Sequence, residues 1–544
     1  MKRFHLYIVS AALLLLSACS SDNDELPGGS SNTLLNALRI KISANDFADA
    51  NGISTRAIDN GTSTTFKSND RIGIIVLDNS GNVLSDNIPY IYNGSTWSFD
   101  NNNGEGKTAV YYDNKAGTLT HLAYFPYSVE ANGATGIAIL KGKFQPQPDQ
   151  RTEDAYRASD LLVWSNTGSA PLKKLEIEFT HAYSSLSLSP LIKCEIDGKE
   201  TSYTTSSVTD VSFTIGTEPL FPYRADDGSY RIIVSPQTTA ARWFCSYKAK
   251  TYSGTMSETA LAANNRHTLA PTLKDIGTYT LEKAQVGDFY CRNKNKGYLI
   301  PGDIPSLTPA QQDSCIGIVY SIDVSRIGKA ATDFLSGKGI TPHGLVMALT
   351  NASDGCRWGD YGKDENSDGA DGEPFKANAE KQYENVDGYG ETHWIIDTYG
   401  DDGTALKDIY TAFYHASRYG TAESNTEKYA VPSNTTGWFI PGMGQWWDIL
   451  SNLGKIDLTG YRDVDRTILI SGAASIAVAN MNTYLQKISS ATQFRMSSTT
   501  LFWSSSECNS DNACYVFFFS DYRLHLGYNY KYYSYYRLRC SFAF

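Results

Sequence analysis

Apolar and polar residues alternate in short runs through the first half of the chain, the pattern of strands with one buried face. Leu38-Arg39-Ile40-Lys41-Ile42 has a period of two, so a strand there puts Leu38, Ile40 and Ile42 on one side. Arg71-Ile72-Gly73-Ile74-Ile75-Val76-Leu77 is a continuous apolar run closed by the turn cluster Asp78-Asn79-Ser80-Gly81. Leu175 to Phe179, Leu186 to Leu188 and Arg231 to Val234 read the same way, and from about residue 37 to 275 helical periodicity is almost absent. Many short strands separated by turn residues predict one or two β-sandwiches.

The texture changes near Val286-Gly287-Asp288, where Gly and Trp become frequent. Leu406 to Ser417 carries Ile409, Ala412, Phe413 and Ala416 at helical spacing. Trp446, Ile449, Leu450 and Leu453 repeat it with Gly454 as a stop, and Val478, Met481, Leu485 and Ile488 form a third apolar stripe. A closing strand is predicted with Leu538, Cys540, Phe542 and Phe544 on one face and Arg537, Arg539 and Ser541 on the other. The fold class is therefore mainly β, then α+β.

A length of 544 residues suits about three domains. The net charge of −11 argues against nucleic acid and anionic membrane surfaces as partners. Tyrosine is abundant, with 36 residues, and supplies large amphipathic faces suited to sheets and binding surfaces. Of nine cysteines, Cys194, Cys245, Cys291, Cys315, Cys356, Cys508, Cys514 and Cys540 lie beyond the N-terminal region. None forms a CxxC pair, so a zinc site has little support.

Lys2 and Arg3 precede an apolar stretch, Leu6 to Leu16, too short to span a bilayer, and the small residues Ser17 and Ala18 follow it. With Cys19 next, residues 1–18 resemble a bacterial lipoprotein signal peptide, which implies lipidation of Cys19 and attachment to the outer membrane. Ser20 to Glu25 is acidic and Pro27 to Asn32 is rich in Gly and Ser, so residues 19–56 read as a tether plus a first strand. The acidic cluster resembles the surface-export signal of Bacteroides-type lipoproteins.

Thr55-Arg56-Ala57, Asn69-Asp70-Arg71-Ile72-Gly73, Ala123-Tyr124-Phe125-Pro126-Tyr127, Ala158-Ser159-Asp160-Leu161-Leu162, Phe179-Thr180-His181 and Val234-Ser235-Pro236-Gln237 follow one another in order. In that order and spacing they resemble the fimbrillin family of Bacteroidales pilus subunits. The resemblance implies two transthyretin-like β-sandwiches, 57–170 and 171–280. It also implies cutting between Arg56 and Ala57, loss of the first strand, and assembly with other fimbrial subunits by strand exchange.

His343 to Leu349, Gly437-Trp438-Phe439-Ile440-Pro441, Phe502-Trp503-Ser504-Ser505-Ser506-Glu507, Ala513 to Phe517 and Tyr536-Arg537-Leu538-Arg539-Cys540 resemble bacterial C-type-lectin-like domains. That resemblance covers residues 285–544 and implies a rigid core carrying irregular binding loops. The polar, Gly-rich loop Gly359 to Glu384 is one candidate. Tyr528, Tyr530 and Tyr532 are candidate stacking faces for a sugar or peptide, or else ordinary strand tyrosines.

Asp364, Asn366, Asp368 and Asp371 place oxygen ligands as a calcium loop would. Phe375 stands where an EF-hand needs its bidentate Glu, so the strict pattern fails, and calcium is an expectation only for a looser site. Gln147-Pro148-Asp149 resembles a lectin sugar triplet in the wrong domain. His181 and His343 have apolar neighbours and no catalytic partner. The chain has no G-x-S-x-G, HExxH, P-loop or GxGxxG motif, so neither catalysis nor a resident cofactor is expected. Formylglycine-type chemistry would have to use Cys508 and Cys514. The reading is a cell-surface minor or tip fimbrial subunit that adheres to a glycan or protein on a host or bacterial surface. The alternative is a surface lipoprotein that binds such a ligand without polymerising.

Overall fold

The computed structural model describes residues 39–49, 65–104, 106–111, 117–169, 174–273, 278–365, 379–400, 404–464 and 467–544. The chain divides into two compact units, the first built from segments within 1–45, 64–144 and 161–180, the second from 46–63, 145–160 and 181–544.

The first unit is one seven-stranded sheet. Its order is Arg39–Ala44, Lys174–His181, Leu162–Ser169, Thr118–Phe125, Arg71–Leu77, Val83–Tyr92 and Trp97–Phe99. The strand Arg39–Ala44 sits at one edge and pairs in parallel with Lys174–His181. Ile40, Ile42 and Ala44 lie half-buried against a core that includes Ile72, Ile74, Phe125, Leu175, Ile177 and Phe179. Alternation in the sequence is matched by alternation in burial along Lys174–His181. The turn after Leu77 closes because the Asp78 carboxylate accepts bonds from the Ser80 and Asn82 backbone amides, both at 2.8 Å.

Two sequence motifs meet here for a steric reason. A Cβ on Gly73 would fall 2.2 Å from the Tyr124 ring, so the glycine leaves room for Tyr124. The Tyr124 hydroxyl donates to Asn87 Oδ1 at 2.7 Å. Arg71 reaches Asp100 at 2.7 Å.

The second unit begins with three sheets. Lys199–Tyr203, Leu191–Ile196 and Thr272–Leu273 form one. Glu218–Leu220, Thr209–Ile215, Gln237–Tyr247 and Lys250–Leu261 form another. The third is Tyr223–Arg224, Tyr230–Val234, Ser184–Leu188, Asn265–Leu269 and Ala48–Asp49. His181 is buried against Asp160, Nδ1 to Oδ1 2.7 Å, and stacked on Phe47 at 3.5 Å, which gives it a structural role.

Two further sheets and most of the helices complete this unit. The five-stranded sheet runs Lys296–Ile300, Phe289–Asn293, Cys315–Ser321, Leu345–Ala348 and Ser541–Ala543. The six-stranded sheet runs Ser353–Cys356, Tyr536–Leu538, Leu501–Glu507, Asn512–Phe518, Leu524–Tyr530 and Ile468–Ile470. One hydrophobic core extends from Leu186 to Phe544.

Several expectations change in detail. The short helices Ile137–Lys143 and Glu153–Ser159 interrupt the strand-only half, because two turns are too few to display a 3.6-residue repeat. The 406–417 stripe is broken into Ala405–Asp408 and Thr411–Arg418, with Tyr410 out of helical conformation between them. The helix Met443–Asp448 continues as a wider i to i+5 turn, Ile449–Leu453, before Gly454. The closing strand is two strands in different sheets, and Arg539 and Ser541 do not face solvent. Arg539 is fully buried, its guanidinium capping the carbonyls of Ala348, Leu349 and Thr492 at 2.7–3.1 Å. Hydrogen bonds to three carbonyls make burial of that charge tolerable.

Candidate binding surface

In the hairpin Asn512–Phe518 and Leu524–Tyr530, Cys514 pairs with Tyr528 and Asn512 with Tyr530. Tyr528 and Tyr530 are two residues apart and so share a sheet face. The chain then turns, and Lys531 is the residue that points inward. Its ammonium forms a fully buried ion pair with Glu507. It also donates to the Lys363 carbonyl at 2.6 Å and sits 4.9 Å from the Trp358 ring centre. The backbone of Trp358 in turn donates to the Lys531 carbonyl at 3.0 Å. Residues 358–365 are therefore laced onto Lys531.

With the lysine inside, the neighbouring tyrosines stay outside. Tyr530 and Tyr532 stack at 5.6 Å with an interplanar angle of 11°, and Tyr361 stands edge-on to both at 5.5 Å. Tyr532, Tyr533 and Tyr535 continue the chain of ring contacts at 4.7 and 5.3 Å. Tyr361, Tyr528, Tyr530, Tyr532 and Tyr535 are 38–49% exposed. Edge-on and offset ring pairs are favourable beyond the area they bury, so these rings hold one another in place. The result is a preorganised aromatic face edged with hydroxyls, the residue chemistry that recognition surfaces favour.

Beneath it lies a buried acidic network. Glu365 accepts from the hydroxyls of Tyr399, at 2.7 Å, and Tyr410, whose rings stack at 4.3 Å. The Glu365 amide donates to Glu507 Oε1 at 3.0 Å. Burial pushes the Glu507 carboxyl up to about 7 against the pull of Lys531. Glu391, on the helix Gly388–Tyr399, is fully buried and pushed up to about 8, first by burial, with Asp387 and Glu507 adding to it. Ser505 Oγ donates to it.

Tyr530 and Tyr532 are thus brought together, and Tyr528 shares the strand. Asp364 is exposed beside buried Glu365, so the loop predicted to stay unpacked is packed at that end. Its other end forms the helical turn Ala379–Glu384. Cys19, Arg56, Ala57, Asn366, Asp368 and Asp371 lie outside the described residues. Among the described residues no group of three or more His, Cys, Asp or Glu is placed to hold a metal. Cys514 is buried, and the Cys508 sulfur beside it, with burial, pushes its thiol well up. A nucleophilic or metal-binding cysteine needs the reverse shift. His343 lies 3.9 Å from Glu282. The sequence reading missed the buried Lys531–Glu507 pair and the roles of Glu365 and Tyr361. Their one visible signal was a lysine set inside a run of tyrosines.

Residues 55–288 match the fimbrillin-like family model. A Bacteroides ovatus protein with a provisional assignment as a fimbrium tip subunit is 26% identical over 563 aligned positions, covering 94% of each chain. A crystal structure of a fimbrial protein from Bacteroides ovatus is 20% identical, covers 94% of this chain and 99% of its own, and superposes with a TM-score of 0.37. The match takes in all six motifs quoted above, with Thr55-Arg56-Ala57 at its start.

Proposed function

We propose that the chain is a minor or tip subunit of a cell-surface fimbrium, with the fimbrillin-like region for attachment and residues 285–544 as the adhesive domain. In this reading the fimbrillin-like region forms two transthyretin-like sandwiches and the last domain is C-type-lectin-like. The observation that carries it is the edge position of Arg39–Ala44. A cut after Arg56 would release that strand and uncover the edge of Lys174–His181, together with Leu175, Ile177 and Phe179. An unpaired edge beside apolar side chains is a template for a strand from another subunit. The segment Tyr536–Phe544 is built into its own sheets and buried, so it is not available for donation. This favours a tip position over a repeating shaft.

The N-terminus and mass of the protein recovered from the native cell surface test the reading. A chain starting at Ala57 without lipid is expected. A lipidated chain starting at Cys19 would overturn assembly by strand exchange and leave a tethered binder of a glycan or host protein. The tyrosine face has its own test. Tyr530→Ala with Tyr532→Ala is expected to cut adhesion to host or bacterial surfaces by about tenfold, since truncating a central aromatic typically costs over 1 kcal/mol. Both side chains are partly exposed, so the thermal midpoint should hardly move. Unchanged adhesion would remove this face from the proposal.

A further inference from the structure

A cleft of about 460 Å³ lies within the second unit, walled by the helix Met443–Asp448, the wide turn Ile449–Leu453 and the residues after it. That volume falls in the range of roughly 300–1,000 Å³ usual for small-molecule sites. Wide i to i+5 turns are also frequent at functional sites. Arg326 is engaged at the base, its Nε–H shared between the Asp448 oxygens at 3.0 and 3.2 Å and its other nitrogens donating to the carbonyls of Tyr383 and Gly444 at 2.9 and 2.8 Å. Tyr383 is held between two guanidinium groups, Arg326 at 4.0 Å and Arg462 at 4.4 Å from its ring centre.

One feature singles this cleft out. Trp447 stands in its wall only 2% exposed, and its Nε1–H is a buried donor with no acceptor. Such a group is costly to leave unmet, and an occupant with an acceptor atom would satisfy it. By contrast, the larger cavity of about 700 Å³ beside Asp288 and Asp303 has both carboxylates fully taken up. Asp303 accepts from Tyr203, Thr205 and Tyr247, and Asp288 accepts from Tyr279 and the amides of Gln285 and Gly302.

The charges lining the cleft nearly cancel. Asp323, Asp448 and Asp457 face Arg326 and Arg462, so neither an anion nor a cation finds a strong field. What remains is a set of donors and acceptors. The Trp447 N–H and the Arg462 guanidinium can give, while Asp457 and the Asn452 side-chain oxygen can receive. Asn452 uses its amide nitrogen on the Tyr320 carbonyl at 2.9 Å. Hydroxyl groups, which donate and accept at once, meet both needs.

We propose that this cleft binds an uncharged polyhydroxylated molecule, a mono- or disaccharide, with Trp447 Nε1–H and Arg462 donating to its oxygens. The site is separate from the tyrosine face and does not depend on the fimbrial reading. Saturation-transfer NMR on the full chain tests it, with glucose, galactose, mannose, fucose, N-acetylglucosamine and lactose as probes and glucuronate as the charged control. At least one neutral sugar should bind, and Trp447→Phe should weaken it by about tenfold, the worth of one hydrogen bond. Arg462→Gln, an exposed change that leaves the fold intact, should weaken it by about fivefold, on the same reckoning. Tyr530→Ala with Tyr532→Ala should leave it unchanged. No binding of any neutral probe, binding of glucuronate alone, or binding indifferent to both cleft variants would overturn the proposal.

Discussion

Lys531→Met is expected to lower the unfolding free energy by about 3–5 kcal/mol at pH 8, the usual cost of removing one partner from a buried ion pair. The ammonium it removes is the opposite charge that offsets the burial of Glu507. The Glu507 carboxylate would be left in an apolar interior with only the Glu365 amide and lacking its counter-ion. The loss should shrink at pH 5, where a proton on Glu507 cancels the stranded charge. Glu507→Gln combined with Lys531→Met should recover much of it, because the amide oxygen still accepts from Glu365 and no charge is buried. Urea unfolding followed by tryptophan fluorescence reads all three. An effect below about 1 kcal/mol, the scale of an exposed pair, would mean that the pair is solvated. The functional consequence follows from the Lys363 carbonyl and the Trp358 amide, which fasten residues 358–365 to Lys531. Without them Tyr361 loses its fixed place against Tyr530 and Tyr532, and the aromatic face loses its preorganisation.

The strand character of the first half was legible because alternation such as Leu175, Ile177 and Phe179 is a direct imprint of one-sided burial. The continuous apolar run Arg71–Leu77 was legible for a different reason, burial of both its faces, with its turn written in Asp78 to Gly81. What sequence could not reveal was which polar groups fold inward. Arg537 and Arg539 look equivalent in a period of two, yet Arg539 alone meets three carbonyls and is buried. Lys531 and Glu507 stand 24 positions apart and pair only because two hairpins bring them together. Glu365 looks like one more acid in a polar loop, and only the stacked Tyr399 and Tyr410 show why it turns inside. Tyr530 and Tyr532 were visible as candidates. Tyr361, which completes their cluster, came from a loop far away in sequence.

The stability of the fold should also fall as pH rises from about 4.5 to about 8, and Glu391→Gln should flatten much of that slope. Glu391 has an ordinary carboxyl value of 4.5 when unfolded and about 8 in the fold, mainly through burial. Between those values the folded chain holds a proton that the unfolded chain has released. Raising the pH therefore favours unfolding, by about 1.4 kcal/mol per pH unit for one such group. The proton also has a structural use. Glu391 Oε1 is buried without a close donor, and the neighbouring Asn385 side chain pulls the carboxyl down against burial. A proton on Glu391 removes the buried charge, while Oε2 accepts from Ser505. Glutamine supplies the same donor permanently through its amide and keeps an oxygen for Ser505. Glu391→Gln should thus match the parent chain near pH 5 and exceed it by about 2 kcal/mol or more at pH 9, where the parent must bury a charge. A residual slope from Glu507, raised to about 7, should remain in the variant. If Glu391→Gln is instead destabilised equally at every pH, the carboxyl is ionised in the fold. Ser505 would then be its essential donor, and the buried acid would be a fixed charge.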